Sequence, residues 1–397
     1  MRVLLSTIGS RGEVQPMLAL AVELRELGAE VRLAGPPDFR GLIEGYGLEF
    51  VPVGPEVSTF DQTSRPTPEQ RRAMITGTVV DQFDALRPAV RDCDVLVGLG
   101  ALQIAAPSIA EERGIPCVYT AFAAKTLPSD HHAPPPLGLG LDSTADFRTQ
   151  WRQDADRWND IWREPLNAQR AQAGMTPVDD VQPYIFTKHP WLASDPILDP
   201  WPTPSDLDVW QPGAWLVRDE RPLSEELEEF LAAGDPPLYF GFGSMQVGAD
   251  TSRAAIEAAR AVGRRAIVLR GWADLALVDD APDCLAIGEV NHQALFPRVS
   301  VVVHHGGAGT TTAVARSGAP QVVVPQRFDQ FHWAKRIETL GIGVAHAPGQ
   351  PTTDSLIEAL DRALTPEIVA RARVFATTVR GDGAARAAQQ ILALERL

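Results

Sequence analysis

What most constrains this chain is a rhythm that occurs twice: a short apolar run, a glycine-marked break, then an amphipathic stretch. Arg2–Thr7 carries Val3, Leu4 and Leu5, and Gly9-Ser10-Arg11-Gly12 interrupts it. Met17, Leu18, Leu20, Ala21, Leu24 and Leu27 then recur at helical spacing, and Gly28 ends that pattern. Glu30–Ala34 reads as the next strand, and Val95–Leu99, Leu102–Arg113 and Cys117–Tyr119 repeat strand, helix, strand. A second series starts at Leu238–Phe242 and runs through a helix at 251–262, Ala266–Leu269, Val301–His304, a helix at 310–317, Gln321–Val324 and a helix at 328–340. Alternation of this kind predicts parallel sheets with helices on both faces, an α/β class.

A chain of 397 residues exceeds one ordinary core, so two doubly wound domains are expected. Residues 195–219 are rich in Pro, Asp and Trp with little periodicity, which is the composition of a connector. The predicted division is an N-terminal domain at 1–205, a linker at 206–235 and a C-terminal domain at 236–397. In open α/β sheets, ligands bind outside the carboxyl ends of the strands.

The net charge of −15 argues against a broad basic face for nucleic acid or anionic lipid. The 3 cysteines, Cys93, Cys117 and Cys284, show no CxxC spacing, which argues against zinc or a disulfide framework and fits a reducing, cytoplasmic setting. The opening MRVLLST has no long apolar region, so no signal peptide is expected, and no apolar run is long enough for a membrane span. A monomer or weak dimer is expected.

The densest chemical signal is Val301-Val302-Val303-His304-His305-Gly306-Gly307-Ala308-Gly309-Thr310-Thr311-Thr312. A buried strand ends in two histidines, glycines let the backbone approach a ligand, and threonines open a helix. The free N–H groups and positive dipole end of such a helix suit phosphate. Downstream, Asp329 and Gln330 follow another strand, where they are suited to sugar hydroxyls; helix capping is the structural alternative for Asp329. Three Asp-x-Asp strings exist, at 92–94, 154–156 and 206–208, but none sits at a strand end as a metal site would. No cofactor or metal is expected. The chain has no Walker motif, no nucleophile elbow, and no G-x-G-x-x-G after the first strand.

The ordered strings Val290-Asn291-His292-Gln293, His305-Gly306-Gly307-Ala308-Gly309-Thr310 and Pro325-Gln326-Arg327-Phe328-Asp329-Gln330 resemble the donor signature of family 1 glycosyltransferases, which have the GT-B fold. The aromatic start of that signature is missing here. Gly9-Ser10-Arg11-Gly12, Gly241-Phe242-Gly243-Ser244, Arg270-Gly271-Trp272-Ala273-Asp274-Leu275 and Gly288-Glu289-Val290-Asn291-His292 extend the resemblance over nearly the whole chain, toward the bacterial enzymes that tailor vancomycin-type glycopeptides.

The resemblance implies a metal-free, inverting transfer of a hexose from a UDP- or dTDP-sugar to a hydroxyl of a natural-product aglycone. It implies that Val290 meets the nucleobase through its backbone, and that His305, Gly307, Ala308, Gly309 and Thr310 hold the diphosphate. Ser244 and Ser10 or Arg11 would assist, and Asp329 and Gln330 would contact the sugar. The C-terminal helix would cross back to the first domain.

For the general base, many members place His three residues before a proline, and glycopeptide enzymes place Asp there. This chain has Glu13 before Pro16, with dipole complementation as the structural alternative. His131, His132 and His292 are alternative bases. Phe122, His131 and His132 are the expected acceptor contacts, within loops at 55–80 and 121–150. A nucleotide-sugar 2-epimerase of the same architecture and a non-catalytic helper are the competing functions.

Overall fold

A computed structural model of the chain describes residues 1–57, 66–135, 142–243, 249–271, 277, 279 and 281–394. The chain divides into two compact units, one formed by Met1–Pro196, Pro200–Val217 and Gly381–Leu397, the other by Ile197–Asp199 and Arg218–Arg380. The boundary thus falls between Val217 and Arg218, and the final helix belongs to the first unit.

The first unit runs β1 (Arg2–Thr7), α1 (Arg11–Glu26), β2 (Glu30–Gly35), α2 (Arg40–Gly45), β3 (Glu49–Pro52), α3 (Pro68–Ala89) and β4 (Val95–Leu99). It continues with α4 (Ala106–Arg113), β5 (Cys117–Ala121), α5 (Phe147–Gln172), α6 (Val181–Phe186) and β6 (Trp191–Leu192). The second runs α7 (Glu225–Ala232), β7 (Leu238–Gly241), α8 (Ala249–Ala261), β8 (Ala266–Leu269), β9 (Cys284–Ile287), α9 (His292–Leu295), β10 (Val301–His304) and α10 (Ala308–Ser317). It ends with β11 (Gln321–Val323), α11 (Gln330–Leu340), β12 (Gly343–Ala345), α12 (Thr353–Ala363) and α13 (Pro366–Ala376). The chain then returns to the first unit as α14 (Gly383–Leu394).

Each unit holds a parallel sheet of the same topology. The strand order is β3-β2-β1-β4-β5-β6 in the first and β12-β11-β10-β7-β8-β9 in the second. In each sheet the connections leave in opposite directions at one point, between β1 and β4 and between β7 and β10. Loops diverge there and open a crevice at the carboxyl ends of the strands. The central strands are apolar on both faces because helices cover both: Leu4 and Leu96 pack into one layer, Val3, Leu5 and Val97 into the other. The second unit repeats this, with Val301 and Val303 in one layer and Val302 in the other.

The aromatic stripe on α5 packs inward. Trp151 and Trp158 are buried, and Trp158 meets Phe186 edge-on at 5.1 Å. The Asp-x-Asp strings are tied up in local polar contacts. Asp92 pairs with Arg2 and Arg32, Asp94 accepts the Arg2 backbone N–H, Asp154 pairs with Arg157 and Gln182, and Asp208 meets His189. Among the described residues no helix is long and apolar enough to cross a membrane.

Candidate functional site

The second unit's site is built at its switch point. β10 ends at His304, which is fully buried. Its Nδ1 accepts the Gly306 N–H at 3.1 Å and its Nε2 lies 2.9 Å from Gln321 Oε1, so the ring bridges β10 to β11 as a neutral Nε2–H tautomer. Burial pushes its pKa down to about 3, which keeps it neutral. His304 therefore sets the shape of the turn that follows.

That turn is glycine for steric reasons. Gly306 has φ +91°, and a Cβ there would come within 2.6 Å of Val323 Cγ1 and 3.2 Å of the Gln330 carbonyl. The β10–α10 turn thus lies directly against the start of α11. A Cβ at Gly243 would approach His305 Cε1 to 2.9 Å, and one at Gly307 would approach its Nε2 to 2.7 Å. The His305 ring occupies the space those two glycines leave. Burial pushes its pKa down to about 4, and its Nδ1 has no hydrogen-bond partner among the described residues. A buried ring nitrogen left without a partner is costly unless a ligand supplies one.

α10 opens at Ala308, two residues before the expected Thr310, with Gly307 as an N-cap that offers no side chain. The first backbone bond of the helix runs from the Thr311 N–H to the Gly307 carbonyl at 2.9 Å. The N–H groups of Ala308, Gly309 and Thr310 consequently have no partner within the helix. Thr311 and Thr312 turn their hydroxyls back onto the Gly307 and Ala308 carbonyls, both at 2.9 Å. Thr310 is half-buried in the first turn of α10.

Asp329 is the N-cap residue of α11 by position, but its side chain makes no capping bond. Its backbone is already helical, with ψ −11°, and its Oδ2 accepts from Trp333 Nε1 at 2.8 Å, one turn along the helix. Burial raises its pKa to about 6. Gln330 is buried, and its Oε1 accepts the N–H groups of Gln326 at 2.8 Å and Arg327 at 3.0 Å. Its carbonyl oxygen therefore shapes the turn that carries Asp329. Trp333 stands at i+4 from Asp329, a spacing visible in the sequence that by itself names no function.

Val290 is half-buried against the cluster containing Leu295 and Phe296. Asn291 caps α9 and donates to the carbonyls of Asp219 and Arg221, which fixes the loop presenting Val290. His292 meets the Tyr239 hydroxyl at 3.0 Å and stacks on Phe296 at 4.5 Å, so its ring is part of this unit's packing. Ser244 and residues 272–276 lie outside the described residues, as do parts of the two expected acceptor loops.

The first unit's candidates sit after β1, again at a switch point. Ser10 caps α1: its Oγ accepts the Gly12 N–H at 3.3 Å and donates to Glu13 Oε2 at 2.8 Å. Gly9, with φ +151°, makes room for the carboxyl group, because a Cβ there would stand 2.8 Å from Glu13 Cδ. The Glu13 carboxylate is thus held by a serine hydroxyl against a bare backbone. Arg11 is half-buried in the first turn of α1. Phe122 is half-buried just past β5. The His131 Nε2 lies 2.8 Å from the Pro204 carbonyl, and His132 meets Trp151 and Trp201 edge-on at 6.0 and 6.3 Å. Both imidazoles already have local partners.

Residues 3–129 match the family model for the glycosyltransferase family 28 N-terminal domain, and residues 257–394 match that for the C-terminal domain of erythromycin biosynthesis protein CIII-like proteins. The chain is 49% identical over 396 residues to the vancomycin aglycone glucosyltransferase of Amycolatopsis orientalis, covering 99% of this chain and 97% of that protein. The chain belongs to the vancomycin-type glycosyltransferases. It is also 44% identical over 380 residues to the dTDP-epi-vancosaminyltransferase of the same organism, covering 94% of this chain and 92% of that one. Among solved structures, the kitacinnamycin glycosyltransferase superposes with a TM-score of 0.75 at 20% identity, covering 99% and 98% of the two chains. VinC, solved with dTDP, gives 0.69 at 20% identity and 100% coverage of both. The fold of this glycosyltransferase is GT-B, α/β with two parallel sheets.

Proposed function

We propose that this enzyme transfers a hexose from a UDP- or dTDP-sugar to a hydroxyl of a glycopeptide-type aglycone, with inversion and without a metal ion. The observation that carries the donor half is the turn from His305 to Thr310. It combines a buried ring nitrogen that has no partner among the described residues with three backbone N–H groups at a helix start without a side-chain cap. These groups meet the charge that develops on the departing diphosphate.

Glu13 is the general base of this reading. The acceptor oxygen bonds to the anomeric carbon while the bond from that carbon to the β-phosphate oxygen breaks, and the hydroxyl proton passes to the Glu13 carboxylate. Ser10, donating to Oε2, keeps that carboxylate oriented. Asp329 accepts from a sugar hydroxyl, and Val290 presents its backbone to the base. Phe122, His131 and His132 border the acceptor. The enzyme acts as a monomer or weak dimer in the cytoplasm.

Support for the acceptor class comes from the full-length similarity to glycopeptide enzymes, all of them transferases, which weighs against an epimerase. The test is a mass-spectrometric assay of purified protein with UDP- and dTDP-glucose and a panel of glycopeptide, macrolide and aromatic aglycones. A hexose mass increment on a glycopeptide aglycone, undiminished by EDTA, is the expected result. Donor isomerisation without transfer, or activity restored only by a divalent ion, would refute the proposal.

A further inference from the structure

Phe328 directly precedes Asp329 on the segment that joins β11 to α11, and the proposed function gives it no task. Its ring is 58% exposed. Its backbone has φ 53°, the left-handed region, which is unfavourable for a bulky L-residue and easy for glycine. Neither packing nor backbone preference therefore explains a phenylalanine here. Strain of this kind persists where the surroundings over-determine it, and it concentrates at ligand-contacting positions.

The surroundings do over-determine it. Gln330 Oε1 clamps the N–H groups of the two preceding residues, Gln326 and Arg327, and α11 begins two residues later. On the other side, Gly306 packs against the Gln330 backbone. Phe328 thus lies on the segment joining β11 to α11, and the start of α11 packs against the turn that carries His305. The neighbouring polar groups are partly committed, Asp329 Oδ2 to Trp333 and Gln330 Oε1 to the turn. A pyranose bound there needs apolar contact as well as hydrogen bonds, because its ring carbons present C–H faces.

We propose that Phe328 is a platform on which one C–H face of the donor's sugar packs, and so a residue that determines sugar selection. This rests on the donor-site reading above. The platform contributes to the sugar and nothing to the diphosphate.

The test compares wild type, Phe328→Gly and Phe328→Tyr by calorimetry with UDP, dTDP, UDP-glucose and dTDP-glucose, together with thermal unfolding. Phe328→Gly should weaken glucose-nucleotide binding about tenfold relative to wild type, the loss of one aromatic contact. It should leave binding of the bare diphosphates unchanged and unfold at the same or a higher temperature, because glycine adopts this φ without strain. Phe328→Tyr, which keeps the ring, should bind as wild type does. Equal weakening of the sugar nucleotides and bare diphosphates would make Phe328 a turn-former only and overturn the proposal. So would unchanged glucose-nucleotide affinity in Phe328→Gly, or a loss in Phe328→Tyr as large as in Phe328→Gly. Wild type binding none of the four would instead refute the donor site itself, and the platform with it.

Discussion

In the proposed reaction two carboxyl groups divide the chemistry between them, and their surroundings differ. Glu13 sits where a serine hydroxyl holds one oxygen and a glycine backbone leaves room for the rest. Glu13→Gln preserves that shape and removes the basicity, so turnover should fall by about two orders of magnitude or more with donor affinity unchanged. Steady-state rates within a few-fold of wild type would remove Glu13 from the mechanism. Asp329 is different: burial lifts its pKa to about 6. A raised carboxyl pKa means that the neutral form persists to higher pH, and the hydroxyl-accepting carboxylate predominates only above about 6. Binding of UDP-glucose should therefore weaken about tenfold between pH 7 and pH 5, as the ionised fraction falls from roughly nine-tenths to one-tenth. Calorimetry across that range checks this, and Asp329→Asn should flatten the profile. A wild-type affinity independent of pH would exclude the carboxylate from sugar binding.

The β10–α10 unit explains why part of the site was legible in sequence. Val301–His304 is continuously apolar up to its last residue, and the following glycines are dictated by a positive φ and by the His305 ring, so strand, turn and helix announce themselves. Elements without such a signature were missed. β3 has four residues with little burial, and α3 buries only Val79, Gln82, Phe83 and Leu86 of its 22 residues, too sparse a stripe to read. Asp329 had the residue type and position of a helix cap. Only the backbone angle, helical already at that residue, sends its side chain to Trp333. For Gln330, expected from sequence to contact the sugar, no sequence pattern reveals that its oxygen also shapes a turn. The turn also gives a test of the His305 ring position. Gly307 has φ −65°, which alanine tolerates, so Gly307→Ala disturbs little except the ring 2.7 Å from the added methyl. Binding of UDP should weaken in Gly307→Ala and in His305→Ala alike, with Tm little changed in either. Unchanged UDP affinity in both variants would separate this turn from phosphate binding.

At the level of the whole molecule the chain leaves the first unit at Arg218 and re-enters it at Gly381, so the last helix completes a core begun by the first. Ala384, Ala387, Ala388 and Ile391 fall at helical spacing on one face of α14, all buried in the cluster that holds Met17, Leu20, Ala21 and Leu24 of α1. The alanines allow close approach, and Gly383 lies against the backbone of Gly213 and Ala214, where any side chain would collide. Ile391 is the one large side chain among these four. Its truncation leaves a void that the flanking alanines are too small to fill. Ile391→Ala should cost about 2–4 kcal/mol of the first unit's stability. None of the donor-turn residues belongs to that unit, so UDP affinity of the folded protein should be retained. Urea unfolding followed by tryptophan fluorescence measures the first quantity and calorimetry the second. An unfolding midpoint equal to that of wild type would mean that α14 adds nothing to the core it joins, and a parallel loss of UDP binding would mean that the donor unit depends on that core for its fold.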